Sequence, residues 1–243
     1  MGDQSPINIS RENCKQFNPP PLIYSSYFLR RQVVAQNDGE KVRLLLNEQE
    51  TPACLSGGEL RGTYDLKEIQ FRWGPNNSSG TEHALNGRKF SLEAQLIHYK
   101  SEYQGFPDMV ITQPDGIVVV SFFFQVACHP DFGGCNQDNP RFAILAEALR
   151  TIQNPLSSVQ LDIEGIMSLF EEKATPEGYF TYFGSLTTPN YESVVTWILY
   201  PTLIIISDPQ MQCFRNLISA NGNIILANAR PLQPINGRII LYC

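Results

Sequence analysis

The ten residues at 117–126, IVVVSFFFQV, set the strongest constraint on the fold. This β-branched and aromatic run is too short for a membrane helix and apolar on both faces, so it predicts a strand with a core on each side of a sheet. Similar runs predict further strands at 42–46, 69–73, 92–99, 194–199 and 203–206. The chain is therefore expected to be built on a large sheet.

Two segments carry the signals of short helices. Asn139 and Pro140 supply a cap and a first-turn proline before 142–149, and Ser207 caps the segment that continues through 211–218. The 17 prolines and 17 glycines are spread along the chain, without a linker or a repeat. We expect one domain over residues 1–243, mainly β or α+β, with a few short peripheral helices.

Charge and hydropathy exclude several kinds of partner. The net charge is −6 and no dense block of Lys or Arg is present, so nucleic acid is not an expected partner. The apolar stretch 194–206 is broken by Thr196 and Pro201, so no membrane span is expected. The first residues have no secretory signal. A cytoplasmic location is expected, with secretion as the alternative if a leader has been removed.

The six cysteines, at 14, 54, 128, 135, 213 and 243, are too sparse for a disulfide scaffold. Cys128 and Cys135 flank a turn-like segment, and both a bridge and free thiols remain open for them. A metal site built from Cys128, His129, Asp131 and Cys135 fits no common zinc spacing, so none is expected there.

Separated motifs occur in one order along nearly the whole chain. They are QSPINI (4–9), LSGG (55–58), FRWG (71–74), GTEH (80–83), EAQLIHY (93–99), GSLTTP (184–189), TWI (196–198) and RPLQPINGR (230–238). Together they resemble the alpha-class carbonic anhydrases. The resemblance implies a large twisted, mostly antiparallel sheet of about ten strands with small helices at its edge. It also implies a cone-shaped cleft where a His-x-His pair and a third histidine hold zinc.

All three zinc-ligand positions implied by the resemblance are substituted. Residues i and i+2 of a strand point to the same face, and here that pair is Gln70 and Arg72, while the third position is Gln95. A guanidinium donates no lone pair, and at ~4 Å it would repel a dication by an energy on the order of 8 kcal/mol for an effective dielectric constant near 20. We therefore expect no zinc and no other cofactor.

The histidine count supports the same expectation. The chain has only His83, His98 and His129. The first two match family histidines that are structural, and the third lies in the 128–135 segment. No set of histidines is left to form the zinc site.

The surroundings of this degenerate site match the family more closely. Glu82, Glu93, Thr187 and Thr188 match polar residues around the family's zinc-bound hydroxide, and the apolar wall is matched by Ile97, Val119, Leu186, Val195 and Trp197. The family's proton-shuttle histidine is replaced by Glu40, and carboxyl groups ordinarily titrate too low to relay protons at neutral pH.

Three residues of this site have alternative interpretations. Glu82 and Thr187 are expected to persist as a buried hydrogen-bonded pair, with residual catalysis as the alternative. Arg72 is expected to form an ion pair with Glu68, Glu82 or Glu93, with anion binding as the alternative.

Within this family the chain resembles the catalytically inactive, carbonic-anhydrase-related members. It implies a protein-binding or scaffolding module whose partner is another protein of unknown identity. The alternative is an enzyme, with carbonate dehydratase or another activity in the retained cleft. Extracellular members of the family often have a disulfide between a cysteine at a position like Cys14 and a second cysteine. In this chain the second position is occupied by Tyr191, so the bridge cannot form. This absence also favours a reducing compartment.

Overall fold

The computed structural model describes residues 3–127, 137–170 and 178–243. Within them lie fourteen strands. These are β1 (Asn8–Ile9), β2 (Cys14–Gln16), β3 (Leu22–Ser25), β4 (Arg31–Asn37), β5 (Val42–Leu46), β6 (Cys54–Gly57), β7 (Tyr64–Trp73), β8 (Ala84–Leu85), β9 (Leu92–Lys100), β10 (Ile117–Val126), β11 (Ser157–Ile163), β12 (Phe180–Gly184), β13 (Val195–Ile206) and β14 (Ile240–Tyr242). The residues 128–135, discussed above as a bridge or metal site, lie outside the described part of the chain.

In the described residues, twelve strands form one twisted sheet and β1 pairs separately with β8. The main order is β11-β4-β5-β7-β9-β10-β13-β12-β14-β2, and β6 joins β3 to β7. Most pairs are antiparallel, whereas β10 with β13 and β14 with β2 are parallel. The expected large, mostly antiparallel sheet is confirmed. It exceeds about ten strands because it includes very short ones, such as β2 and β14, whose few apolar residues give little sequence signal.

Strand β13 is one continuous strand where the sequence predicts two. Its register with β10 shifts between Phe122 and Phe123, whose partners are Tyr200 and Leu203. Pro201 and Thr202 fall in this bulge, and a proline lacks the N–H needed for a regular ladder position. The break in the apolar pattern therefore marks a bulge and not the end of a strand.

The helices are short and peripheral, as expected. They are α1 (Pro107–Thr112), α2 (Ala143–Thr151) and α3 (Asp208–Arg215). Asn139 caps a 3-10 turn over Pro140–Phe142 that leads into α2, and Ser207 forms a capping box with Gln210 at α3. None of the helices in the described ranges is long and apolar enough to cross a membrane.

The sheet has an apolar cluster on each face, as the run in β10 requires. Phe122 and Phe124 belong to the larger cluster, and Val119 and Phe123 belong to the other. Ser121 points to the second face but is polar, and its hydroxyl donates to Glu93 Oε1 at 2.9 Å. The polar site described next lies on this second face.

Candidate functional site: a polar network on β7 and β9

Strands β7 and β9 bring together the three residues that the resemblance assigns to zinc-ligand positions. Gln70 pairs directly with Gln95 across the two strands, and Arg72, two residues further along β7, pairs with Glu93. Gln70, Arg72 and Gln95 all line one cavity of about 100 Å³. The alternation of side chains along a strand puts Gln70 and Arg72 on the same face. The three side chains therefore converge on one point of the sheet.

Arg72 is held at the centre of this group, with only 3% of its surface exposed. Its Nη2 donates to Gln70 Oε1 at 2.7 Å. Its Nε lies 3.2 Å from Glu82 Oε1, an ion pair without the alignment of a hydrogen bond. Of the three carboxylates considered from the sequence, the guanidinium thus pairs with Glu82.

The two glutamines connect this pair to further carboxylates. Gln70 Nε2 donates to Glu68 Oε1 at 2.7 Å, and Arg43 Nε donates to the other oxygen of Glu68 at 2.5 Å. Gln95 Nε2 donates to Glu82 Oε2 at 2.7 Å and to Glu93 Oε1 at 3.1 Å. Both amides are therefore committed as donors to carboxylates.

Glu93 anchors the loop that carries His83. Its Oε2 accepts the backbone N–H groups of Glu82 and His83, and its Oε1 lies 2.9 Å from His83 Nδ1. Burial alone would raise the pKa of Glu93, but the interactions with His83 and the hydrogen bond from Gln95 lower the pKa to about 2. The Nε2 of His83 lies 2.7 Å from the hydroxyl of Tyr182. Glu93 and His83 therefore form the buried base of the site.

The expected hydrogen bond between Glu82 and Thr187 is absent among the described residues. The carboxylate of Glu82 instead receives Gln95 Nε2 and, at 3.1 Å, the backbone N–H of Arg230, and it faces Arg72. These donors take the place that a threonine hydroxyl would fill. Thr187 and Thr188 are half-buried and line the cavity instead.

The apolar residues matched to the family's wall lie together. Ile97, Val119, Leu186 and Trp197 line the small cavity. Val195 is fully buried in the same apolar cluster but is not among the cavity-lining residues. Outside this cavity lies a second one of about 290 Å³, which shares Arg72, Thr187 and Thr188 with the first and includes Glu40 at its rim. The two cavities together form a cleft.

Arg230 is a site residue for which the sequence motif suggested no role. Its backbone N–H binds Glu82, and its guanidinium lies 3.8 Å from the ring centre of Tyr191 in a cation–π contact. Both residues line the outer cavity. The RPLQPINGR motif was the available signal, but only the fold shows that its first residue reaches the cleft.

The side chains at the three converging positions do not fit a zinc ion. Zinc in proteins is bound by histidine, cysteine or carboxylate groups, whereas these positions hold two amides and a guanidinium. No cluster of three or more His, Cys, Asp or Glu side chains suited to a metal occurs in the parts of the chain that the structure describes.

Comparisons with known proteins match one family model to nearly the whole chain. The family model for eukaryotic-type carbonic anhydrase matches residues 2–243. The chain is 31% identical to carbonic anhydrase 7 of Mus musculus over 99% of this chain and 88% of that protein. It is 29% identical to carbonic anhydrase 3 of Mus musculus, over 98% and 88% of the two chains. It is also 30% identical to the carbonic anhydrase-related protein of Rattus norvegicus, over 98% of this chain and 82% of that protein.

Proposed function

The chain belongs to the eukaryotic-type carbonic anhydrase family, and we propose that it is a member without zinc that does not hydrate carbon dioxide and acts as a protein-binding or scaffolding module. The observation that supports the loss of zinc is the contact network of Arg72. Its guanidinium lies among the three positions where the family's ligands would stand, paired with Glu82 and bonded to Gln70. A dication there would be repelled by Arg72 and would have to displace this pairing.

The retained polar residues have a structural explanation on this proposal. Glu82 and Glu93 are fully buried and each accepts several hydrogen bonds, so both are satisfied without a metal or a substrate. Removing either carboxylate would leave buried N–H groups unpaired, at a cost of about 1–3 kcal/mol for each group. Their presence does not require catalysis.

Two measurements test the loss of zinc chemistry. Elemental analysis of the dialysed protein is expected to find no stoichiometric zinc, and a stopped-flow assay is expected to find no carbon dioxide hydration above the uncatalysed rate. About one zinc ion per chain, or a hydration rate that scales with protein concentration, would refute the proposal.

The binding role needs a surface, and one groove on the opposite face of β12 and β13 offers it. This groove has a volume of about 970 Å³ and is lined by Thr196 and Ile198, whereas Trp197 between them faces the cleft. Phe17, Phe183 and Ile239 line the same groove and are exposed. Apolar side chains gathered in this way are typical of protein contact sites. They suit a partner that inserts apolar anchor residues.

A pull-down with the intact chain, followed by hydrogen-exchange mapping, tests this role. A specific partner should protect the groove, and Ile239→Asp should weaken its capture. The matched control is Leu156→Asp, which makes the same kind of change at an exposed residue beside β11, at the other end of the sheet from β14. Equal capture by both variants would exclude this groove as the binding surface.

The second candidate function is an enzymatic activity in the cleft. It is favoured by the small cavity, which keeps the apolar wall and both threonines. A hydration assay that remains positive after chelation, and is lost in Thr187→Val, would support it against the first proposal.

A further inference from the structure

Arg72 has hydrogen-bonding capacity that its neighbours do not use. A guanidinium carries five N–H donors and binds carboxylates best through two parallel bonds. Here Nη2 donates to the side-chain amide oxygen of Gln70, and Nε lies near Glu82 without forming a hydrogen bond. Nη1 has no hydrogen-bond partner among the described residues. No carboxylate of the site therefore takes up the paired donors at the end of the side chain.

The free donors lie beside space that a small molecule can enter. Arg72 lines both the inner cavity of about 100 Å³ and the outer one of about 290 Å³. Thr187 and Thr188 line both cavities as well, and their hydroxyls have no side-chain partner among the described residues. A buried charged side chain, two free hydroxyls and an apolar wall thus surround one small space.

We propose that this cleft binds a small organic monocarboxylate, of the size of formate or acetate, on the guanidinium of Arg72. The two oxygens of the carboxylate accept from Nη1 and from the second N–H of Nη2, and a threonine hydroxyl donates to one of them. The short carbon end rests against Val119 and Leu186. This inference rests on the proposed function only in requiring that no zinc ion is bound in the cleft.

The charges around the cleft permit such an anion. Lys41 and Arg230 line the outer cavity together with Arg72. The carboxylates that face the two cavities are Glu40, Glu68 and Glu82. Glu68 is paired with Arg43, and Glu82 receives Gln95 and the N–H of Arg230, while the Glu40 side chain is 85% exposed at the rim. Each of these carboxylates thus has a partner or lies at the exposed rim, while Arg72 keeps donors for an added anion, and we expect a millimolar dissociation constant.

The test is an NMR titration of the full chain, after chelation and with its zinc content measured. Sodium acetate is compared with sodium chloride at equal ionic strength, following the backbone amides of Thr187 and Thr188 and the side-chain Nε–H of Arg72. Acetate is expected to give saturable shifts and chloride none. Arg72→Lys, which keeps the charge but loses the paired donors, should weaken acetate binding roughly tenfold.

Two further variants complete the design. Val119→Phe fills the inner cavity from its apolar wall and leaves Arg72, Gln70 and Glu82 unsubstituted. It should also abolish the saturable shifts, so the test does not depend on the folding of Arg72→Lys alone. Arg30→Gln removes a charge at an exposed arginine paired with Asp162 and should bind acetate like the parent chain. Absence of saturation, equal shifts with chloride, or unchanged binding in Val119→Phe would overturn the inference. Zinc found before chelation would refute the proposed function instead, and the two failures are thereby distinguished.

Discussion

Gln70 of β7 and Gln95 of β9 lie directly opposite each other in an antiparallel ladder, with Arg72 on the same face two residues away. Side chains opposite each other on such a pair have Cβ atoms about 5 Å apart. This spacing is set by backbone hydrogen bonds between the strands and not by a metal. The sheet therefore fixes the arrangement of these three positions whatever side chains they carry.

Restoring histidine at all three positions is expected to create a zinc site. The triple variant Gln70→His, Arg72→His and Gln95→His places three imidazoles on one face and removes the repelling guanidinium. Zinc affinity, measured by competition with a chromophoric chelator, should rise from undetectable to a stoichiometric site. Activity need not return, because Glu40 stands where the resemblance expects the proton shuttle and Glu82 still accepts the backbone N–H of Arg230.

The double variant Gln70→His and Gln95→His is the matched control for the triple variant. It provides two imidazoles but keeps Arg72, so it should bind zinc far more weakly. Equal, weak binding by both variants, with the triple variant folded by near-ultraviolet circular dichroism, would show that these positions do not form the former site.

The pairing of Arg72 with Glu82 predicts a coupled loss of stability. Arg72→Met should lower the free energy of unfolding by about 3 kcal/mol, because it leaves Glu82 charged and buried without its cation. Glu82→Gln alone should also destabilise. The double variant should lose about 2 kcal/mol less than the sum of the two single losses, as measured by urea unfolding at neutral pH. Additive losses would mean that the two side chains do not stabilise each other.

The long apolar strands could be predicted from the sequence, while the edges of the sheet could not. The run in β10 is apolar on both faces, so burial alone determines its structure. Strand β4 alternates buried and exposed residues over Arg31–Asn37, and its mixed composition gives a weaker strand signal than an all-apolar run. Strands as short as β14 depend on pairing with distant partners, which no local pattern records.

In the candidate site, too, some features could be predicted from the sequence and others depend on the tertiary fold. Strand periodicity together with the family resemblance placed Gln70, Arg72 and Gln95 near one another, and the structure brings them to one cavity. The bond from Arg230 to Glu82 joins residues 148 positions apart, so it follows only from the tertiary fold. The expected pairing of Glu82 with Thr187 was wrong because competition among donors depends on exact positions within the site.

The buried His98 predicts a loss of stability in mild acid. Burial lowers the pKa of His98 to about 4, and its ring contacts the Tyr27 hydroxyl and the Val118 carbonyl. An unfolded histidine titrates near 6.5, so the unfolded chain binds the proton more tightly than the folded chain. The free energy of unfolding should therefore fall as the pH decreases from about 6.5 to about 4, by roughly 3 kcal/mol in total.

Urea unfolding at several pH values between 7 and 4 measures this effect as the difference between the parent chain and His98→Gln. The variant should lose this contribution to the slope, although other groups still titrate in it. The contribution of Glu93 falls in a lower window, between about 4.5 and 2, because its pKa is lowered to about 2 in the fold. A parallel pH dependence of the two proteins above pH 4.5 would contradict the assignment to His98.

The loop that delivers Glu82 and His83 depends on a glycine with no room for a side chain. A Cβ on Gly80 would lie 1.8 Å from the carbonyl oxygen of Ser91, far inside contact distance. The nearest atoms, from Ser91 and Phe90, all belong to the backbone and cannot easily move away. Gly80→Ala should therefore destabilise the chain by about 3 kcal/mol and displace the loop.

Gly87 is the matched control, since a Cβ there meets nothing within 4 Å and only its φ of +76° opposes a side chain. Gly87→Ala should cost about 1 kcal/mol. Urea unfolding of both variants distinguishes them, and similar losses would show that the close approach at Gly80 is not what holds Glu82 in place.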